Sequence, residues 1–329
     1  MDAASFFGSP VGAYVTQTVV HAFIAALITD RAIDAWEVRD SAIVQRFRLI
    51  VIVLPIVSFP AYQLINPERG TLDFRLQALF DTQRWLNVEL WGKLPISVIV
   101  LFIIGVTVLL FVGQELIPVA MHSWSTRKSV LRQRGRVHPP LATLLATLPG
   151  EKPPVVLIED EDHVVFSTVG RNSSIYLSSG LLDALTPDEL RAAVAHEIAH
   201  VERSRRPLLI GIFVLRALMF YNPVTLLEFR KIVHEEEKIC DDVAVALTGN
   251  AQALAATLRK LYGQSGAAQP LPVLKPAELR ESLEEHGHRV LLEDRIKRLE
   301  ERPAADPGHQ WLPFVLTAVT VSVINYFVV

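Results

Sequence analysis

Two histidines and one glutamate in the sequence H-E-I-A-H could bind a metal ion and use it. His196 and His200 are four residues apart, so on a helix they share one face, where two imidazoles can hold the same ion. Glu197 lies beside the first histidine, where its carboxylate can take a proton from a metal-bound water. The run predicts a zinc site with metallopeptidase chemistry, and its alternative is a pair of ordinary surface histidines on a helix.

A capped helix is predicted to carry this run. The sequence T-P-D-E from Thr186 to Glu189 offers Thr as the N-cap, Pro at the first helical position and Glu at the third. The residues that follow are good helix formers up to the second histidine. We therefore expect a helix that begins near Pro187 and positions both imidazoles.

A catalytic zinc needs a third protein ligand and an open position for water. Residues 228–247 read E-F-R-K-I-V-H-E-E-E-K-I-C-D-D-V-A-V-A-L, a second helical pattern that is rich in possible ligands. Glu237 and Asp241 lie one turn apart, so one carboxylate can bind the metal while the other accepts the free N–H of a ligating histidine. His234, Glu235 and Glu236 are competitors that spacing alone does not exclude, and a plain charged helix face is the alternative.

Three β-rich runs precede the capped helix and predict a small sheet. They cover residues 155–160, 164–169 and 174–178, and polar or Gly-containing turns separate them. We expect the last run to be an edge strand, against which an extended peptide could pair by main-chain hydrogen bonds. Residues 121–310 therefore predict an α+β zincin-type domain.

The rest of the chain is apolar enough to predict membrane spans. The 329 residues are 50% apolar, and the mean hydropathy is +0.32. Four uncharged segments approach the roughly 17 to 25 residues that a spanning helix needs, namely Val11–Thr29, Leu49–Ile65, Leu94–Val112 and Trp311–Val329. The predicted fold is a membrane α-helical bundle of about four spans with a cytoplasmic α+β zincin-type domain. Its predicted divisions are residues 1–120, 121–310 and 311–329.

Basic residues in short loops predict the orientation, because they accumulate on the cytoplasmic side. Arg127, Lys128, Arg132, Arg134 and Arg136 follow the third span. This end is expected inside, which puts the N-terminus and the loop of residues 66–93 outside. Within that loop, residues 74–86 predict one amphipathic helix on the membrane surface.

A largely apolar stretch of 16 residues, 207–222, lies between the two metal motifs. If the ligands on both sides share one ion, this stretch cannot cross the bilayer once, and Arg216 interrupts it. We expect a helix that dips into the membrane or lies against it.

Taken together, these motifs resemble a known family. H-E-I-A-H, then F-Y-N-P at residues 220–223 and E-K-I-C-D-D-V-A-V at residues 237–245, resemble the BlaR/MecR-type integral-membrane zinc metallopeptidases of the gluzincin clan. The entry to the metal helix, I-Y-L-S-S-G-L-L-D-A-L-T-P-D-E-L, is similar to the related HtpX and CAAX-processing proteases. The antibiotic-sensing members carry a penicillin-binding domain after the last span, and we expect no β-lactam sensing because this sequence stops at Val329.

The resemblance implies roles for particular residues. The family pattern E-x-x-x-D implies that Glu237 is the third zinc ligand and that Asp241 supports a ligating histidine. Cys240 falls on a family cysteine, for which we expect a packing role. A donor to the developing oxyanion could be His288, Arg295 or Tyr221, and a family segment ending in R-I-x-x-L favours His288. An amphipathic helix with solvated charges also explains that segment.

The sequence thus predicts an integral-membrane zinc metalloendopeptidase with one Zn²⁺ ion per chain, in regulated signalling such as repressor cleavage. Its expected partners are a protein or peptide substrate, the lipid bilayer, and a membrane sensor partner or a second copy of the chain. The net charge of −3 gives no indication of nucleic-acid binding. The expected location is a bacterial inner (cytoplasmic) membrane. A quality-control or CAAX-type protease and a non-proteolytic zinc-binding transducer are the alternatives.

Overall fold

The computed structural model describes residues 3–117, 148–149, 152–168, 173–204, 207–262, 276–301 and 310–329. The chain divides into two compact units. The first consists of residues 1–128, 208–235 and 305–329, and the second of residues 129–207 and 236–304. The basic stretch from Arg127 to Arg136, on which the predicted orientation depends, lies outside the described residues.

The described secondary structure is mostly helical. The helices are α1 (Ala3–Phe7), α2 (Pro10–Ala35), α3 (Ser41–Ile65), α4 (Leu72–Gln77), α5 (Thr82–Leu86), α6 (Ile96–Phe111), α7 (Ser179–Ala184), α8 (Pro187–Ser204), α9 (Pro207–Leu218), α10 (Pro223–Thr248), α11 (Ala251–Tyr262), α12 (Pro276–Glu301) and α13 (Trp311–Tyr326). The strands are β1 (Glu89–Leu90), β2 (Leu94–Pro95), β3 (Val155–Ile158), β4 (Val165–Ser167) and β5 (Ile175–Ser178).

The two long apolar helices of the first unit begin at polar caps. The Ser9 hydroxyl accepts a hydrogen bond from the Gly12 N–H at 3.1 Å at the start of α2. At the start of α3 the Asp40 carboxylate accepts one from the Ile43 N–H at 3.0 Å. Length and composition allow both helices to cross a membrane. The helices α6 and α13 are apolar but have 16 residues each, so for them the prediction of four spans stays a prediction.

The loop after α3 differs from the single amphipathic helix expected over residues 74–86. It contains two short helices, α4 and α5, separated by residues 78–81. The backbone of this break pairs with the residues after α13, because Leu79 N–H donates to Phe327 O at 2.8 Å and Val329 N–H donates to Phe80 O at 2.9 Å. Ala78 and Asp81 have extended backbone, so the helix is interrupted between α4 and α5.

The sheet of the second unit has the strand order β3-β5-β4, with β5 parallel to β3 and antiparallel to β4. Its inner face packs Ile175 and Leu177 against buried residues of α8 and α11. The loop after β3 crosses closely over the start of α7, where a Cβ on Gly180 would lie 2.1 Å from the Glu161 carbonyl oxygen. Glycine is needed at this position.

The expectation that residues 174–178 form an edge strand is wrong. This run is β5, and strands pair with both of its sides. Ile175 and Leu177 have no exposed surface, which is typical of a central strand. The edges of the described sheet are β3 and β4.

Candidate metal centre

The helix α8 carries the first metal motif on a well-anchored scaffold. Thr186 N–H donates to Glu189 Oε2 at 2.7 Å, and Glu189 N–H donates to Thr186 Oγ1 at 3.4 Å, which confirms the predicted capping box. Lys260 of α11 also binds Glu189 Oε2 at 2.7 Å. Further along α8, Val194, Ala195 and Ile198 pack into the core of the unit.

Three of the predicted site residues come together. The Nε2 atoms of His196 and His200 lie 3.0 Å apart. Glu237 of α10 reaches both rings, with one oxygen 3.5 Å from His196 Nε2 and the other 3.5 Å from His200 Nε2. These three side chains are the one group among the described residues that could hold a metal ion, with donor atoms within 4.8 Å of one another.

The spacing of these donors fits a tetrahedral zinc ion. Ligands bound at zinc distances in a tetrahedron are about 3.3–3.6 Å apart. The two carboxylate–imidazole distances of 3.5 Å agree with this, and the imidazole pair at 3.0 Å needs to open only slightly. Two imidazoles and one carboxylate are also the donor set of many hydrolytic zinc sites, which leave one position for water. The residues present therefore fit zinc.

Asp241 contacts the second ring nitrogen of His196, Nδ1, which is not part of the metal group. Its Oδ1 lies 3.0 Å from His196 Nδ1, as an ion-pair contact rather than a well-aligned hydrogen bond. Arg295 of α12 binds both oxygens of this carboxylate, with Nε at 2.8 Å and Nη2 at 2.7 Å. Burial raises the pKa of Asp241, but the bonds from Arg295 and His196 outweigh burial and lower it. Asp241 is therefore an anion in contact with the His196 ring.

Two further pKa values follow from the same contacts in the absence of metal. Burial lowers the pKa of His196, but the contacts with Asp241 and Glu237 are stronger and raise it to about 9. Burial raises the pKa of Glu237, whereas hydrogen bonds from His196 and His200 lower it well below its usual range. A proton on His196 thus takes the place that a metal cation would occupy electrostatically.

Glu197 lies in a setting that suits a general base. Its side chain is almost buried, at 8% exposure. Within the described part of the chain it makes no side-chain hydrogen bond or ion pair. A carboxylate without a protein partner beside a metal position is available to a water molecule.

Neighbouring residues hold His200 and α10 in place. Cys240 Sγ lies 3.6 Å from His200 Nδ1, and burial raises the pKa of its thiol, so it stays protonated. Glu236, one of the competing ligands, forms a buried two-bond ion pair with Arg203 of α8, with Nη2–Oε2 at 2.6 Å. His234 and Glu235, the other competitors, are not part of the three-residue group.

The three oxyanion candidates differ in what the structure shows of their side chains. The side chain of His288 lies outside the described residues, although α12 includes its backbone. The Tyr221 hydroxyl lies 3.0 Å from Thr18 Oγ1 in the first unit. Arg295 reaches the site, with Nη1 at 3.0 Å from Glu237 Oε2, but it binds carboxylates there. The sequence indicated Arg295 only as a charge in an amphipathic run, and it gave no signal for Arg203.

Comparison with known proteins identifies the family of this domain. The profile of peptidase family M48 matches residues 132–302, which is more than half of the chain. The chain belongs to peptidase family M48. Members of this family are metalloproteases and are typically zinc dependent. The M48 match covers His196, His200 and Glu237, so the group that could hold metal lies inside the peptidase domain.

A curated relative is similar over part of this domain. Protease HtpX homolog 2 of Methanosarcina mazei is 29% identical over 124 residues, which are 35% of this chain and 42% of the relative. The chain therefore spans less than half the length of this relative. The M48 domain, this relative and two apolar helices suggest a membrane metalloprotease. The narrower resemblance to BlaR/MecR-type proteins stays a prediction.

Proposed function

We propose that this M48 protein is an integral-membrane zinc metalloendopeptidase that cleaves a cytoplasmic or membrane protein in regulated signalling, such as repressor cleavage of the BlaR/MecR type. The observation that carries the catalytic part is the meeting of His196, His200 and Glu237 within 4.8 Å, with Glu197 adjacent to the first histidine. When bound, zinc would polarise the scissile carbonyl and make a water molecule more acidic.

The protein residues would supply proton transfer and orientation. Glu197 would take a proton from the attacking water and pass it to the leaving amine. His196, His200 and Glu237 would hold the ion, and Asp241 would keep the His196 ring in its ligating orientation. Arg295 would fix the Asp241 carboxylate through its two hydrogen bonds. His288 is the proposed donor to the developing oxyanion, with Arg295 and Tyr221 as the alternatives.

A substrate strand would pair with β4 rather than with β5. The hydrogen bonds from Ser178 N–H to Val164 O and from Thr168 N–H to Ser174 O show which residues of this ladder face β5. The alternation of an antiparallel ladder leaves the backbone groups of Val165 and Ser167 on the outer edge. An extended peptide could therefore add to this edge.

The catalytic proposal is tested by replacing the base while retaining the metal site. Glu197→Gln should lower peptide-bond cleavage by at least about a thousandfold and leave one zinc per chain. Glu202→Gln is a matched control, because Glu202 is an exposed glutamate on the same helix. Cleavage of an unfolded reporter protein and zinc content by mass spectrometry are the two measurements. Normal cleavage by Glu197→Gln would contradict the mechanism.

The third ligand has its own test. Glu237→Ala should lose zinc on dialysis against a weak chelator, because two imidazoles alone hold the ion less tightly. Glu235→Ala tests a carboxylate two residues earlier that is outside the three-residue group. Equal zinc retention by Glu237→Ala and the parent protein would assign the third ligand elsewhere. A zinc-loaded parent that never cleaves would favour the non-proteolytic transducer.

The similarity to an HtpX homologue favours a second candidate, a membrane protease of the HtpX type that acts without a specific signal. The two candidates differ in regulation. Purified protein in lipid nanodiscs should be almost inactive if a signal is needed. Full activity without any added factor would support the HtpX-type candidate.

A further inference from the structure

The apolar stretch between the two metal motifs forms a helical hairpin within the first unit. The helix α9 has 12 residues, and α10 begins at Pro223 after the turn of residues 219–222. We propose that residues 208–235 are a re-entrant hairpin, which enters the bilayer, turns inside it and returns to the same side, with one face of α9 in contact with lipid acyl chains.

The contacts of the turn set its depth. Tyr221 Oη lies 3.0 Å from Thr18 Oγ1, and Asn222 Nδ2 donates to the Thr18 carbonyl at 3.2 Å. Thr18 lies 12 residues, or about 18 Å, before Asp30 on α2 and eight residues, or about 12 Å, after the start of α2 at Pro10. The hydrocarbon core of a bilayer is about 30 Å thick. If α2 spans, the turn lies far inside the hydrocarbon.

Asn222 satisfies polar backbone groups of the turn, which lack helical hydrogen bonds at this depth. Asn222 is fully buried, and its Oδ1 accepts hydrogen bonds from Val224 N–H at 3.0 Å and Thr225 N–H at 3.4 Å. Its own N–H donates to the Met219 carbonyl at 2.9 Å. In a membrane, backbone outside helices is tolerated only where protein satisfies its polar groups. One buried asparagine does this for the start of α10 and connects it to α2.

An ion-pair network connects the open end of the hairpin to the last part of α2 and the first part of α3. Arg48 Nη1 lies 3.0 Å from Asp30 and 3.1 Å from Glu228. Lys231 Nζ lies 3.0 Å from Asp30 and 2.7 Å from Glu228. Two cations and two anions alternate, so the network has no net charge. Asp30 is near the end of α2 and Arg48 near the start of α3, so α10 runs back towards the loop of residues 36–40.

One face of α9 is left for lipid. Ile210, Phe213, Val214 and Leu218 recur at helical spacing and are 60%, 53%, 50% and 62% exposed. The opposite face is buried, because Ile212 packs with Ile52 of α3 and Ile232 of α10. Since Ile52 lies in the interior of α3, the exposed face is at the level of a candidate span, where the surrounding medium is acyl chains.

The one charged residue of α9 is kept away from that face. Arg216 is buried, with its guanidinium carbon 4.2 Å from the centre of the Phe229 ring and 5.6 Å from that of Phe111. Phe111 is the last residue of α6, and its ring also contacts that of Phe220 at 5.9 Å. A cation held over aromatic rings loses less free energy on leaving water. The position of Arg216 therefore agrees with the lipid-facing assignment of the other face.

Spin labels on single introduced cysteines test the lipid face. Phe213→Cys and Leu218→Cys would be labelled in the full protein, reconstituted into phosphatidylcholine–phosphatidylglycerol vesicles; Cys240 is buried and remains unlabelled. Both sites should collide more with dissolved oxygen than with a water-soluble nickel complex, with Leu218 deeper by about 7 Å. Arg39→Cys, in the exposed loop after α2, is the water-facing control. Nickel collisions as frequent as in this control would overturn the proposal.

A second measurement distinguishes a hairpin from a crossing segment. Phe220 lies in the turn, so an impermeant maleimide should not reach Phe220→Cys from either face of sealed vesicles. Arg39→Cys and Gln77→Cys, in the exposed loops at the two ends of α3, mark the two faces. Labelling of Phe220→Cys from the face that labels Gln77→Cys would overturn re-entry. Variants are compared only if their thermal unfolding matches that of the parent, and Leu218→Cys, next to the turn, replaces Phe220→Cys if that variant fails.

Discussion

Asp241 is buried beside the candidate metal group and contacts residues of two other helices, α8 and α12. It is 1% exposed and contacts both His196 and Arg295. We expect Asp241→Asn to weaken zinc binding by about 10–100-fold, because an amide orients the imidazole less well and leaves Arg295 without its anion. Competition with a fluorescent chelator measures this. Asp242→Asn is the control, since the neighbouring carboxylate is 53% exposed and binds Arg298 instead.

Equal zinc affinities for Asp241→Asn and Asp242→Asn would mean that the histidine is oriented by packing alone. Affinity is the better measurement here than cleavage. A loss of cleavage could follow from any distortion of the site, whereas a selective loss of affinity identifies the support of a ligand.

The protonation of His196 predicts how zinc binding depends on pH. In the metal-free protein its pKa is about 9, because the contacts with Asp241 and Glu237 outweigh burial. Zinc needs the neutral ring, so binding at pH 7.5 should release about one proton, and affinity should rise about tenfold per pH unit up to pH 9. Calorimetry in buffers of different ionisation enthalpy measures the proton. No proton release at pH 7.5 would contradict the raised pKa.

The same shift gives the sign of a stability effect in the metal-free protein. The folded pKa of His196, about 9, is above its ordinary value of 6.5. Its contribution to stability is therefore fully present below about pH 6.5 and is lost as pH rises through about 9. Zinc-saturated protein should not show this loss, since the metal keeps the ring neutral throughout.

At the scale of elements, the capping box at the start of α8 is the feature that the sequence predicts most directly. Thr186→Ala removes the acceptor for Glu189 N–H and should lower the free energy of unfolding by about 1 kcal/mol. Denaturant titration with zinc in excess measures the loss. Asp188→Ala, at an exposed position in the same first turn, should cost less. Equal losses for the two variants would assign the effect to helix propensity and not to the cap.

Local patterns and tertiary contacts explain what the sequence could and could not predict. H-E-I-A-H lies within one helix and the E-x-x-x-D pattern within another. The spacing within each helix predicts which two side chains share a face. The strand order could not be predicted, because β-rich runs carry no signal for which of them is central. Arg295 lies 54 residues after Asp241, and no spacing rule connects two positions so far apart.

Arg69 shows the same limit in the first unit. In the sequence it is one more positive charge of a loop expected outside. In the fold it is fully buried and donates to two carbonyls at 2.9 Å each. One belongs to Tyr326, the last residue of α13, and the other to Val328, which follows the helix. Carbonyls at the end of a helix lack partners within it, which explains why a guanidinium is stable there. Only the tertiary fold reveals this role.

For the whole molecule, the side of the membrane that each loop faces decides which proteins the candidate metal site can reach. The basic residues after the third span predict that this end is inside, and counting back through the spans puts the loop with Arg31, Arg39, Arg46 and Arg48 inside too. The loop of residues 66–93 would then be outside, and the peptidase domain inside. Exposed residues are available in the described part of both regions, namely Gln77 after α3 and Lys297 on α12.

We expect Gln77→Cys to react with an impermeant maleimide in right-side-out vesicles from the expressing host, and Lys297→Cys to react only in inverted vesicles. Buried Cys240 should stay unlabelled in both, which makes the parent protein the blank. Permeabilised vesicles should label both variants and show that neither cysteine is protected by protein. The reversed pattern would put the zinc group outside, where a cytoplasmic repressor could not be its substrate. Labelling of both variants from one side would mean that an even number of spans separates them.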